Sequence, residues 1–248
     1  MSENIKSRED LQDDHRKMTG HEVLDKDIVK FLDEKHKDNL DELNNARKEL
    51  LDYFDDLELR PELLQDKIAL DLGSNKHFFD EYCKEKYNTN FVALDDYLEQ
   101  LGTKHPAGVV ADARSLPFKN EAFDLIISHA AMPHVLIETS DHEGNAVPLE
   151  GETLEAYKED IFNFFIECYR VLKTDGQIRM STFSEGAERS HIEDRRRNNL
   201  LPHITEVTRQ QFTRIKLAKE ALEIFEKESG ARCIFKDEEK GGLIVIIK

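Results

Sequence analysis

The sequence predicts an α/β fold, a mostly parallel sheet covered by helices on both faces and preceded by a helical extension. Three observations point to it. From about residue 67 onward, short apolar runs alternate with amphipathic segments, the pattern of parallel strands buried beneath crossover helices. Near the C-terminus, ARCIFKD and LIVIIK are separated by EEKGG alone, too short for a helix, so the last two strands pair antiparallel. Finally, IALDLGSN at 68–75 reads as a buried strand, a tight turn and a helix start. Such a turn suits a nucleotide-like ligand, because glycine lets the backbone approach and the helix start offers free N–H groups.

Up to about residue 66 the chain is charge-rich, with no glycine after Gly20 and no proline before Pro61. Ile28, Phe31, Leu32, Leu40, Leu43, Leu50, Leu51 and Phe54 recur at helical spacing and predict helices over 21–36 and 38–57. These helices read either as a structural extension or as a lid over a pocket. The implied domains are an extension over 1–60 and a main domain over 61–248. Strands are predicted at 67–72, 90–95, 107–111, 123–129 and 176–183, with helices in most intervals. The longest helix, 152–173, aligns Leu154, Tyr157, Ile161, Phe164, Phe165 and Cys168 near one stripe and ends in the turn chemistry of Asp175 and Gly176. A further helix over 209–229 is closed by Gly230, and the terminal hairpin follows with Gly241 and Gly242 at or just after its turn.

A chain of 248 residues has room for one α/β domain with an extension, or for two small domains. The net charge of −17 and the lack of a long apolar run argue against a membrane span, and MSENIKSRED has no apolar signal core, so a soluble cytoplasmic protein is expected. Cys83, Cys168 and Cys233 are odd in number and far apart, which predicts neither a disulfide framework nor a zinc site. Acidity disfavours a nucleic-acid partner, and Arg195, Arg196 and Arg197 read as a solvated face. Asp141, His142, Glu143, His191, Asp194 and His203 follow no ligand spacing, so no metal is expected.

Four more segments follow the first turn in order: FVALDDY at 91–97, VVADARSLPFKNEAFDLIIS at 109–128, SHAAMPHV at 128–135 and FFIECYRVLKTDGQIRMSTF at 164–183. An acid at a strand tip can accept both hydroxyl hydrogens of a ribose, and a carboxylate beside a backbone donor matches the edge of adenine. This ordering resembles the class I S-adenosylmethionine-dependent methyltransferases, in particular the small-molecule branch that includes ubiquinone and menaquinone biosynthesis enzymes. The resemblance covers 67–183 by motif and reaches 248 by strand order.

The resemblance implies a Rossmann-like, doubly wound, seven-stranded sheet ending in an antiparallel hairpin, and methyl transfer from S-adenosylmethionine to a small-molecule acceptor. Asp71 and Gly73 match the first two fixed positions of D-x-G-x-G-x-G, with Ser74 and Asn75 in the same cofactor-binding turn. Asn75 and His77 stand where the family has its second and third glycines. Asn tolerates a left-handed backbone, whereas His77 either narrows the methionine end of the pocket or touches the cofactor or substrate. Asp95 is implied to hold the ribose, with Asp96 as the alternative one residue on and an ordinary helix N-cap as the structural reading. Asp112 and the Ala113 N–H are implied to read adenine, while Leu116, Pro117 and Phe118 pack and Asp124 begins the fourth strand. Ser128 and His129 should line the cofactor mouth. His134 is the first candidate for general base and His129 the second, since neutral imidazole can take a proton near neutral pH and two histidines fall within six positions at the end of a central strand, though a lone histidine is commonly structural. Asp175 replaces the first of the family's paired glycines. The acceptor should be chosen by the N-terminal helices, 137–151 and 184–203. His77 and the missing glycines also motivate an inactive, methyltransferase-like binding or regulatory protein. An NAD-dependent enzyme is a third reading, opposed by the absent G-x-G-x-x-G spacing and by the terminal hairpin.

Overall fold

The computed structural model describes residues 22–35, 40–74, 78–95, 107–129, 152–182, 202–238 and 241–248, and its contacts divide the chain into Met1–Asp52 and Tyr53–Lys248. The first unit holds α1 (Glu22–Lys35) and most of α2 (Leu40–Asp56), whose last turn belongs to the second. Ile28, Phe31 and Leu32 on α1 and Ala46 and Leu50 on α2 are buried at the three- and four-residue spacing of a helix stripe. Arg47 forks onto Asp25, Nε donating to Oδ1 at 2.7 Å and Nη2 to Oδ2 at 2.6 Å, and this bidentate pair ties α2 to α1.

The second unit continues with α3 (Pro61–Leu64), β1 (Ile68–Leu72), α4 (Phe78–Tyr87), β2 (Asn90–Asp95), β3 (Gly108–Val110), β4 (Phe123–Ser128), α5 (Glu152–Val171), β5 (Leu172–Thr182), α6 (Pro202–Ser229), β6 (Arg232–Glu238) and β7 (Gly241–Ile247). The strands form one seven-stranded sheet in the order β3-β2-β1-β4-β5-β7-β6. Pairing is parallel from β3 to β5, and β7 runs antiparallel to both β5 and β6, as the short EEKGG connection requires.

Strand alternation divides the side chains between two cores. Leu70, Leu72, Leu94, Ile126, Ile178, Met180, Ile244 and Ile246 share a cluster with the α5 stripe of Tyr157, Ile161, Phe164, Phe165 and Cys168 and with Leu217, Ala221, Leu222 and Phe225 of α6. Odd-numbered positions of β1 and β2 point to the other face, where an aromatic cluster forms. There Phe79 of α4 stacks on Tyr53 at 4.4 Å and meets Phe54 and Phe91 edge-on, each at 5.5 Å, while Phe54 also meets the edges of Tyr82 and Tyr87.

Two boundaries differ from the sequence-based expectation by more than two residues. The fifth strand starts at Leu172 instead of 176, because its register with β4 jumps from Phe123 opposite Leu172 to Leu125 opposite Gln177. The intervening residues loop out of the ladder, with Asp175 at φ +64°, and a Cβ on Gly176 would meet the Lys173 carbonyl at 2.8 Å. The helix expected over 209–229 begins earlier, at Pro202, where a proline presets the first helical φ and Ile204 and Val207 extend the helical spacing of Phe212 and Ile215.

Phe79 is fully buried and joins three aromatic partners, so Phe79→Ala should destabilise the second unit by about 3–5 kcal/mol. Urea unfolding followed by circular dichroism checks this through a lowered midpoint at unchanged slope.

Candidate active site

Sheet order reverses between β1 and β4: β1 hydrogen-bonds to β2 on one side and to β4 on the other, so the chain passes outward in opposite directions from this pair. In open α/β sheets a crevice forms at that point, outside the carboxyl ends of the strands. Register then decides which residues meet there. Leu72 pairs with Leu94 and Asp71 with Ile127, so Gly73 and Asp95 lie one step beyond the first pair and Ser128 one step beyond the second. Neighbouring strands are about 5 Å apart, which makes these residues adjacent.

Gly73 takes φ +76°, and its N–H donates to the Leu94 carbonyl at 2.8 Å. Asp71 is fully buried, and the Tyr53 hydroxyl donates to its Oδ2 at 3.3 Å. Asp95 is buried at the tip of β2. Ser74 and Ser128 are buried as well, and neither Oγ has a hydrogen-bond partner among the described residues. A buried hydroxyl without a partner costs roughly 1–3 kcal/mol, so two of them at adjacent strand tips mark places where a polar ligand or water belongs.

Asp112 and Ala113 follow β3, and the loop is stitched to β2 by the Ala111 N–H donating to the Asp95 carbonyl at 3.2 Å. Ala113 is buried, but the Asp112 carboxylate is exposed and held by Arg114. The Arg114 backbone N–H donates to Oδ1 at 2.8 Å, Nε to Oδ1 at 2.9 Å and Oδ2 at 3.0 Å, and Nη2 to Oδ2 at 2.7 Å. Nη1 of Arg114 reaches Asp160 on α5 at 2.8 Å. The motif continues into Leu116 and Phe118, whose carbonyls accept from Arg170 at 2.9 and 2.8 Å while Glu167 accepts the Leu116 N–H at 2.9 Å. These residues are therefore fastened to α5. Asp124 sits at the other end of β4, accepting from the Ile68 N–H at 3.0 Å and from Lys173 at 2.8 Å.

His129 closes the tip of β4. Its Nε2 lies 2.9 Å from Asp56 Oδ2, and its ring centroid is 4.4 Å from that of Tyr53. The structure thus brings together Asp71, Gly73, Ser74, Asp95, Ser128 and His129, with Asp112 and Ala113 alongside; Asn75, His77, Asp96 and His134 lie outside the described residues. Sequence reasoning missed Tyr53, Asp56 and Arg114. Helical spacing puts Tyr53 and Asp56 on one face, three residues apart, and an Arg two residues after an Asp is the signal for the fork. Among the described residues no group of three or more His, Cys, Asp or Glu side chains is placed to hold a metal ion.

The Arg114 fork, opposed by partial burial, holds the Asp112 carboxyl below the usual carboxylate range. A lowered folded-state value adds stability above the unfolded value of about 4, and that stability is lost as pH falls through the folded value. A carbon-detected carboxyl titration should therefore find the Asp112 midpoint below about 3.9, and Arg114→Gln should raise it. An equal midpoint in both proteins would rule out the fork.

Comparison with known proteins agrees with this fold. Residues 70–180 match the family model described as a methyltransferase domain. No curated protein matches the chain. Among solved structures, the plantazolicin methyltransferase in complex with SAH superposes with a TM-score of 0.54 at 10% identity, covering 94% of this chain and 98% of that one. A SAM-dependent methyltransferase from Methanosarcina mazei gives 0.50 at 15% identity, covering 77% and 98%. Both share the fold. Residues 70–180 thus carry a methyltransferase domain, on a fold shared with S-adenosylmethionine-dependent methyltransferases.

Proposed function

We propose that this methyltransferase acts on a small-molecule acceptor and holds its adenosine across the tips of β1, β2 and β3. In this reading Asp95 takes the ribose hydroxyls, with Asp96 as its neighbour, and Asp112 with the Ala113 N–H takes the adenine edge. Asp71, Gly73, Ser74 and Asn75 shape the methionine side, while Ser128 and His129 line the mouth and His134 remains a candidate base. The methyltransferase domain spans 61–248, and the extension over 1–60 contributes the last turn of α2. The observation that carries the reading is the pair of buried hydroxyls, Ser74 and Ser128, without partners among the described residues at the tips of β1 and β4.

The residues present fit the group. A carboxylate offers about four lone-pair sites, and Arg114 brings three protons to Asp112, with Nε–H shared between the two oxygens, so one site is left for an adenine amino group. S-adenosylmethionine, when bound, supplies a methyl group on a positively charged sulfur, so the leaving group comes with the cofactor. The protein's part is then to orient: Gly73 lets the chain approach, and Asp95 and Asp112 fix the nucleoside at two points. A net charge of −17 supports a small-molecule acceptor over nucleic acid. We also place the protein in the cytoplasm, a reducing compartment that suits free Cys83, Cys168 and Cys233. No helix among the described residues is long and apolar enough to cross a membrane.

Isothermal titration with S-adenosylhomocysteine tests the reading. Asp95→Ala should weaken binding by about 1.5–3 kcal/mol, the range for a hydrogen bond to a charged group. Equal affinity in the two proteins would remove Asp95 from the ribose.

A further inference from the structure

Holding an adenosine does not require the contacts made by the last turn of α2. Tyr53 lies between two rings, its centroid 4.4 Å from Phe79 and 4.4 Å from His129, and its hydroxyl is tied to Asp71. Three residues on, Asp56 meets His129 Nε2 at 2.9 Å. The turn after them is anchored as well: Arg179 Nη1 donates to the carbonyls of Leu57 at 2.8 Å and Glu58 at 3.2 Å, and Lys236 Nζ donates to both carboxylate oxygens of Glu58. The His129 imidazole is therefore fixed on one face by Tyr53 and on one edge by Asp56, with its side chain 16% exposed.

A carboxylate at this distance accepts, so the shared proton sits on Nε2. In the neutral ring Nδ1 then carries the lone pair, and it has no hydrogen-bond partner among the described residues.

We propose that Asp56 is a positioning residue, holding His129 as the Nε2–H tautomer so that Nδ1 receives the proton of the methyl acceptor. The inference rests on the site proposed above and deepens it by naming an acceptor class. A base is of use only where the attacking atom carries a proton, which selects O–H and N–H nucleophiles over thioethers and tertiary amines. In the step, the acceptor atom donates an electron pair to the methyl carbon, the carbon–sulfur pair returns to sulfur, and the acceptor's proton moves to Nδ1. The imidazolium that results keeps its Nε2–H on Asp56, whose negative charge offsets the new positive one.

Long-range proton–nitrogen spectra of the full chain test this at a pH above which the His129 nitrogen shifts no longer change, with His129 assigned through His129→Gln. The expected spectrum has a lone-pair Nδ1 and a protonated Nε2. Asp56→Ala should lose that single tautomer, the two nitrogen signals moving toward each other, and Asp56→Glu should restore it, a rescue that packing alone would not give. Titration of S-adenosylhomocysteine into the same samples separates the two proposals. If it binds the wild-type chain but the tautomer is Nδ1–H, or ignores Asp56→Ala, the positioning role is overturned and the cofactor site stands. If it does not bind the folded wild-type chain, the site falls and the base role falls with it.

Discussion

The 2.8 Å bond from the Gly73 N–H to the Leu94 carbonyl is the contact from which the candidate site takes its shape. It keeps β1 paired to β2 for one residue beyond the regular ladder while the chain turns away at φ +76°. A side chain at that φ would be strained, so glycine is what permits both at once. Asp95 sits beside this turn, Asp71 lies two residues before it on the same face, and Ser74 comes directly after it. Parallel pairing of β1 with β4 then brings Ser128 and His129 to the same level. A crevice with acids on one side and imidazole on the other follows from register and from the point where strand order reverses.

Arg179 provides the second constraint. Its position on β5 turns it toward the face that carries Asp71 and the aromatic cluster, and burial there holds its pKa below the ordinary value even though the Glu58 carboxylate lies 3.9 Å away. The carbonyls at the end of α2 lack helical partners, and the guanidinium supplies donors to Leu57 and Glu58. The cost of burying the charge is offset by those bonds, and the turn carrying Tyr53 and Asp56 gains a fixed end. Arg47 plays a comparable part between α1 and α2 in the first unit, through a bidentate pair with Asp25.

Much of the sheet was legible because strand parity is strict. Once Ile68, Leu70 and Leu72 are read as one strand, Asp71 must face away from Leu70 and Leu72, and the same holds for Asp95 against Leu94. The start of β5 was hidden, since the looped residues around Asp175 look like the end of a helix and only the register jump shows that Leu172 already pairs with Phe123. Pro202 was hidden for another reason: polar residues outnumber apolar ones just after it, although Ile204, Val207, Phe212 and Ile215 do recur at helical spacing. Sequence punctuation falls at Pro61, whereas contacts divide the chain between Asp52 and Tyr53, because Tyr53 and Phe54 enter the aromatic cluster. Of the candidate site, the strand-tip residues could be named from motif and spacing. Tyr53, Asp56 and the hold of Arg114 on Asp112 could not, because each depends on which surface a helix or loop meets after folding.

A crystal structure of the full chain with S-adenosylhomocysteine tests the central claim most directly. The expected density places the ribose beside Gly73 and Asp95, the adenine edge facing Asp112 and Ala113, and the sulfur directed toward Ser128 and His129. Density for the nucleoside away from the tips of β1 and β2, with Ser74 and Ser128 still buried and unpartnered, would contradict it.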